Sequence, residues 1–411
     1  MDATRNAFLD ILRAALKGEK AAPDRELMPE EWQQLFGLAE MHHILPLIFE
    51  AVFDLPGLPA PLREAVKGQA RTQVIRQALR TSEFLELYRQ LEAAGVRPLV
   101  VKGLICRNLY PKPDQRPSGD EDILIEPAQF DRCRRVLTDY GLKTSQTPEE
   151  QARAYEIPYR GEGSALYIEL HKQLFPPESR AYGALNGFFA DVFSRTAEEK
   201  IQGQTVYTLC PSDHLFYLIC HAFKHFLHSG FGIRQVCDIV LYANRYGHQV
   251  DWTALLENCR AIRAEKFAGA IFRIGRDYLT FDPELAAFPE CWRQIPVDPN
   301  PMLEDLLAGG LYGDASLSRK HSSNITLDAV AAEKQGRAGK SALMASLFPG
   351  PDKLEGRYPY LKKHPWLVPA AWCSRLLSYA GETRTTRDSS AAEALKIGND
   401  RVALMKYYDI L

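Results

Sequence analysis

The run Arg116-Pro117-Ser118-Gly119-Asp120-Glu121-Asp122-Ile123-Leu124-Ile125 decides how this chain is read. Ile123-Leu124-Ile125 has the β-branched, apolar character of a strand core, and the Pro-Ser-Gly turn before it marks where the strand begins. Side chains alternate along a strand, so Asp120 and Asp122 face one side and Glu121 the other. Two carboxylates held that close repel unless a cation lies between them or one takes a proton. Hard oxygen ligands on one face suit Mg²⁺, or Mn²⁺ in its place. If the like charges repel in the empty fold, neutralising one of them leaves that fold no weaker. On these three residues alone, solvated acids at a strand entry remain an equal alternative.

Upstream, Val96-Arg97-Pro98-Leu99-Val100-Val101 reads as a buried strand between Gly95 and Gly103, and 104–110 as a short helix. Downstream, 127–141 reads as a helix with Phe130, Cys133, Val136 and Leu137 on one face and Gly141 as its stop. Two further strands are expected over 154–160 and 164–172, and a short one over 206–209. Strands mixed with helices in this way define an α+β core, 93–210. Residues 1–92 read as a helical region. A long helix near 61–94 carries Arg63, Lys67, Arg71, Arg76 and Arg80, a stripe that suits either solvent or phosphates. Residues 211–411 read as a C-terminal helical domain, with helices at 211–228, 232–246, 252–263 and 265–280. The polar stretches 315–340 and 381–392 read as loops.

A third acid sharpens the picture. Glu169 stands alone among apolar residues in Ala165-Leu166-Tyr167-Ile168-Glu169-Leu170-His171, and an unpartnered buried carboxylate is costly. A neighbouring strand that turned Glu169 toward the aspartates would complete a three-carboxylate site. His171 shares the face of Glu169, where it either orients that carboxylate, touches a phosphate, or packs. On the helix 211–228, His221, His225 and His228 share a face. A metalloprotease zinc site needs a glutamate after the first histidine, and Ala222 stands there. His221 and His225 therefore either cover a nucleotide or pack. Arg234 and Asp238, four apart on the next helix, read as an ion pair, with a phosphate contact by Arg234 as the alternative.

These pieces together resemble the nucleotidyltransferase superfamily typified by DNA polymerase β. More narrowly, they are similar to the bacterial family known as "uncharacterised nucleotidyltransferase". The stretches that carry the likeness are Val101-Lys102-Gly103, Arg116 to Ile125, Glu169-Leu170-His171, His221-x-x-x-His225, Gly232-Ile233-Arg234 and Asp238. Leu38-Ala39-x-x-His42, Leu347-Phe348-Pro349 and Trp366-Leu367-x-Pro369 fit it too. The resemblance implies a small mixed sheet with helices, flanked by N- and C-terminal helical regions. It implies that Asp120, Asp122 and Glu169 are catalytic and hold two Mg²⁺ ions, and that a nucleoside triphosphate transfers its monophosphate to an acceptor hydroxyl. Lys102, Gly103, Arg116, Ser118, His171, His221, His225 and Arg234 are then the nucleotide-binding candidates. Where the superfamily usually has Gly-Ser, this chain has Lys102-Gly103, so phosphate contact is expected to rest on the lysine. The acceptor is left open between a small molecule, a protein and an RNA end. Two rival functions remain: a non-catalytic binding protein that keeps the fold, and a kinase-like phosphotransferase.

Composition excludes several other classes. With 46% hydrophobic and 25% charged residues in 411, the chain is neither disordered nor fibrous. Fifty Lys and Arg against 52 Asp and Glu give a net charge of -2, so no global field draws it to nucleic acid or membrane. The eight cysteines are scattered without a Cys-x-x-Cys, which reads as reduced thiols in a cytoplasm. The N-terminus is an amphipathic helix and not a signal peptide, and no apolar run approaches the ~20 residues of a membrane span. Gly339-Lys340-Ser341 fails as a P-loop because Lys334 stands where a glycine is needed. Trp366, Trp372 and Tyr358 among prolines read as a packed cap.

Overall fold

The computed structural model describes residues 2–228, 230–309 and 391–411, with 358–372 and positions 326, 327, 330, 354 and 374 between them. Four helices lead: α1 (Ala3–Leu16), α2 (Pro29–Met41), α3 (Leu45–Val52) and the 34-residue α4 (Ala60–Ala93). Asp2 caps α1 by accepting from Arg5 N, and prolines sit in the first turns of α2, α3 and α4, where a missing N–H costs nothing.

The mixed α+β centre follows. Its elements are β1 (Leu99–Val100), α5 (Gly103–Arg107), β2 (Glu121–Leu124), α6 (Phe130–Asp139), α7 (Pro148–Arg153), β3 (Glu156–Arg160) and β4 (Tyr167–His171). The sheet order is β1-β2-β4-β3. The β2 and β4 strands run parallel, and in their register Asp122 lies opposite Glu169 and Leu124 opposite His171. Flanking pairs are antiparallel. The β1 strand is shorter than the apolar run 96–101 because Pro98 has no N–H to give the ladder.

A separate hairpin joins β5 (Thr196–Ile201) to β6 (Gln204–Leu209) through Gln202 and Gly203. Both turn residues have positive φ, as the right-handed twist of a two-residue hairpin requires. The sequence reading found β6 and missed β5, whose Thr-Ala-Glu-Glu-Lys-Ile is too charged to resemble a strand and is largely exposed. Helices α8 (Pro211–Leu227), α9 (Ile233–Tyr246), α10 (Trp252–Ala261), α11 (Glu265–Tyr278), α12 (Glu290–Arg293) and α13 (Asn300–Gly309) come next.

A single apolar cluster runs from Phe8 through the sheet to Ile410, so the helices at both ends of the chain bury against the same interior. The C-terminal helix Ala391–Tyr407 is tied in by Arg401, whose guanidinium donates to the carbonyls of Phe226 and His228 at the end of α8. A small second cluster gathers Leu354, Leu361, Val368 and Ala371, against which Tyr358 and Trp372 pack. Trp366 is 72% exposed and is no part of that cap. Most of 315–340 lies outside the described residues, as do Gly339-Lys340-Ser341 and Leu347-Phe348-Pro349; positions 326, 327 and 330 are helical. The last two residues of 381–392 open the C-terminal helix, and the rest lie outside the described residues.

Candidate active site

Parallel pairing of β2 with β4 brings two acids together across about fifty residues of chain. Ligand atoms of Asp122, Glu169 and His171 lie within 4.8 Å of one another. Asp120 sits one step before β2, on the face that Asp122 shares, but outside that closest group. The third member found there is His171. Its Nε2 is 3.2 Å from Asp122 Oδ1 and 3.7 Å from Glu169 Oε2.

Two cations balance these acids. The Lys102 ammonium lies 2.8 Å from Asp122 Oδ2 and 3.5 Å from Asp120 Oδ2, between the two aspartates. Burial alone would raise the Asp122 carboxyl, but Lys102 and His171 outweigh it and hold it well below the usual carboxylate range. Burial pulls the His171 imidazole down, yet its contacts with Asp122 and Glu169 more than offset this and lift it to about 9. His171 is therefore an imidazolium near neutral pH, with Nε2–H donating to Asp122 and Glu169 beside it at ion-pair distance. Glu169 is pushed up, first by burial and then by its acidic neighbours.

Behind the cluster, Glu121 points away from the aspartates, as strand alternation requires. It is fully buried, forms a 2.7 Å ion pair with Arg107 and accepts from Leu104 N at 3.0 Å. A Cβ on Gly103 would lie 2.1 Å from Glu121 Oε2, so glycine is required there by the carboxylate packed against it. Ser118 is also committed locally: its hydroxyl accepts from Arg107 Nη1 and its N–H donates to Gln77 Oε1 on α4.

A cavity of about 250 Å³ opens beside Asp120. Lys102, Arg116, Ser118, His221, His225 and Arg234 line it, which gathers seven of the sequence candidates in one place. The α8 helix supplies His221 and His225, one turn apart, with their Nε2 atoms 3.3 Å from each other. Burial first, then Lys102 for His221 and Lys224 for His225, pushes both imidazoles well down, toward the neutral form. His228, next on that face, turns instead to the Tyr182 hydroxyl. The ion-pair expectation for α9 is corrected. Asp238 is clamped bidentately by Arg116 at 2.7 and 2.5 Å and also accepts from Tyr110, while Arg234 donates to the Pro117 carbonyl. Chain closure offered Asp238 a buried guanidinium fork that helix spacing could not reveal.

His43, Leu218 and Gln235 also line the cavity and were missed. His43 has φ of 53°, an uncommon conformation for a residue with a side chain, next to His42, which accepts from Ile233 N and so braces the first turn of α9. Arg107 carried one legible signal: it is a charged group on a short, otherwise apolar and buried helix. A larger concavity of about 510 Å³ lies between α1 and residues 21–27, remote from the carboxylates and without comparable chemistry.

The mixed α+β fold with acids converging on one sheet face defines the nucleotidyltransferase-like class. The chain belongs to the family described as "uncharacterised nucleotidyltransferase", whose model matches residues 28–280. That span runs from α2 through α11 and contains every residue named around the cavity. No curated protein and no solved structure matches the chain significantly. Among the described residues, no helix is long and apolar enough to cross a membrane.

Proposed function

We propose that the chain is a Mg²⁺-dependent nucleotidyltransferase that moves a nucleoside monophosphate from a triphosphate to an acceptor hydroxyl and releases pyrophosphate. The observation that carries this reading is the pairing of Asp122 with Glu169 across the parallel strands, with Asp120 at the strand mouth lining the cavity. Oxygen donors dominate the set, which fits a hard divalent cation, Mg²⁺ or Mn²⁺. Asp120, Asp122 and Glu169 would hold it. Such an ion, when bound, neutralises phosphate charge and acidifies a hydroxyl beside it.

The chain's own groups do the rest. His171, as imidazolium, fixes Asp122 and Glu169 in place. Lys102, His221, His225 and Arg234 orient the triphosphate from the cavity walls. Arg116 and Ser118 hold the shape of the Asp120 loop, and Gly103 lets Glu121 pack beneath it. The acceptor oxygen forms a bond to the α-phosphorus, the bond from that phosphorus to the β-phosphate oxygen breaks, and pyrophosphate leaves with the electron pair. The hydroxyl proton is lost beside the carboxylates. Positioning and charge neutralisation supply most of the acceleration. The eight scattered cysteines suit a reducing cytoplasm.

The test is radiolabel transfer, with a cell lysate as the source of acceptors. Label from an α-labelled triphosphate is expected on an acceptor, and γ-label only in pyrophosphate. Asp122→Asn should lower the transfer by about a thousandfold, the size of losing a main electrostatic contact to the transition state. Label from the γ-position on a product would make the chain a kinase. Nucleotide binding without any transfer, unchanged in Asp122→Asn, would make it a binding protein.

A further inference from the structure

We propose that Lys102 is a built-in counter-ion that keeps the carboxylate cluster closed to metal until a phosphate chain draws its ammonium away, so that the ion enters with the nucleotide. This rests on the nucleotidyltransferase reading above and adds an order of binding to it.

Three observations support it. The ammonium lies between the two aspartates, 2.8 Å from one and 3.5 Å from the other. Among the described residues, this ammonium is the one group paired with Asp122 Oδ2. Lys102 also lines the cavity beside His221 and Arg234, so its flexible stem can carry the charge toward an anion there without leaving the cleft.

The electrostatics follow. With the Lys102 ammonium between Asp120 and Asp122, part of the cluster's negative charge is already answered, and the empty site attracts a dication less. An ion bound to Asp122 would sit within a few ångströms of the ammonium, and like charges at that distance repel strongly in a partly buried site. A triphosphate removes this conflict by offering Lys102 a new anionic partner while bringing its own ion. Binding of phosphate and of metal are thereby linked, and each favours the other.

The experiment is a Mn²⁺ titration of the nucleotide-free protein, with free ion read from its paramagnetic resonance signal. Wild type should bind weakly. Lys102→Met should bind about tenfold more tightly or better, because one repelling charge at close range is gone. Lys102→Gln, a polar replacement, should show the same gain, and Lys102→Arg should stay weak. Adding Asp122→Asn to Lys102→Met should abolish the gain. A purely structural lysine predicts the opposite direction, since its loss would loosen the site and weaken binding. Tight Mn²⁺ binding by nucleotide-free wild type, or equal affinities in all the single Lys102 variants, overturns the proposal while leaving the nucleotidyltransferase reading intact. If no form binds Mn²⁺ even with a non-hydrolysable triphosphate present, that reading falls and this proposal with it.

Discussion

Two charged clusters lie within a few residues of each other and behave in opposite ways. In the first, Arg116 meets Asp238 as a bidentate pair, 2% and 3% exposed, with Tyr110 filling a remaining lone pair. Each charge has its partner, and the pair joins the Asp120 loop to α9. In the second, Asp120, Asp122 and Glu169 share Lys102 and His171, and the side chains of Lys102 and Asp120 keep 15% and 29% of their exposure beside the cavity. In the first cluster one acid meets one guanidinium in a closed, buried pair at the edge of the cavity. In the second the acids share their cations, and the more exposed side chains leave room for a ligand. That difference is what sets a structural ion pair apart from a candidate site for chemistry.

The largest way to break the comparison is to remove one half of the closed pair. Arg116→Met should cost about 3–5 kcal/mol in urea unfolding, because Asp238 is left charged and buried. Asp120→Asn, on the open side, should cost less than about 1 kcal/mol. Equal losses would mean that both clusters are structural. Asp122 departs from the expectation drawn from repulsion alone. Held by two cations, it stabilises the empty fold as an anion, so Asp122→Asn should fall between these two.

A pH series sharpens the contrast further. The His171 pKa is raised to about 9 in the fold from 6.5, so its contribution is complete below the unfolded value and is lost as pH rises through 9. The stability gap between wild type and His171→Gln should therefore shrink by on the order of 2–3 kcal/mol between about pH 6 and about pH 9.5. A gap that stays constant would show that His171 is not an imidazolium bridging the acids.

A further effect concerns the floor between the clusters. Gly103→Ala forces the Glu121 carboxylate off Leu104 N, at about 1–3 kcal/mol of stability by thermal or urea unfolding. A neutral outcome would mean that Glu121 can move without loss and that Gly103 serves some other end.

Much of this was legible before any coordinates. Strand alternation put Asp120 and Asp122 on one side and Glu121 on the other, and apolar surroundings marked Glu169 as a carboxylate in need of a partner. Helical spacing put His221 and His225 on one face. Period-two and period-3.6 patterns reach only a few residues, yet those few residues carry the acids of the site and the wall of its cavity. Charge-rich β5 escaped because its pairing with β6, and not its own propensity, makes it a strand.

The sequence by itself therefore determined which side chains are displayed and on which face of each element, since backbone geometry repeats locally whatever the rest of the chain does. Only the tertiary structure decided who meets whom. The parallel register set Asp122 opposite Glu169, closure of α9 on the Asp120 loop gave Asp238 to Arg116 and not to Arg234, and the turn after β1 delivered Lys102 between two aspartates. Ion pairs fall off with distance in space, not along the chain, so partners 49 and 122 residues apart could be chosen only once the chain had closed on itself.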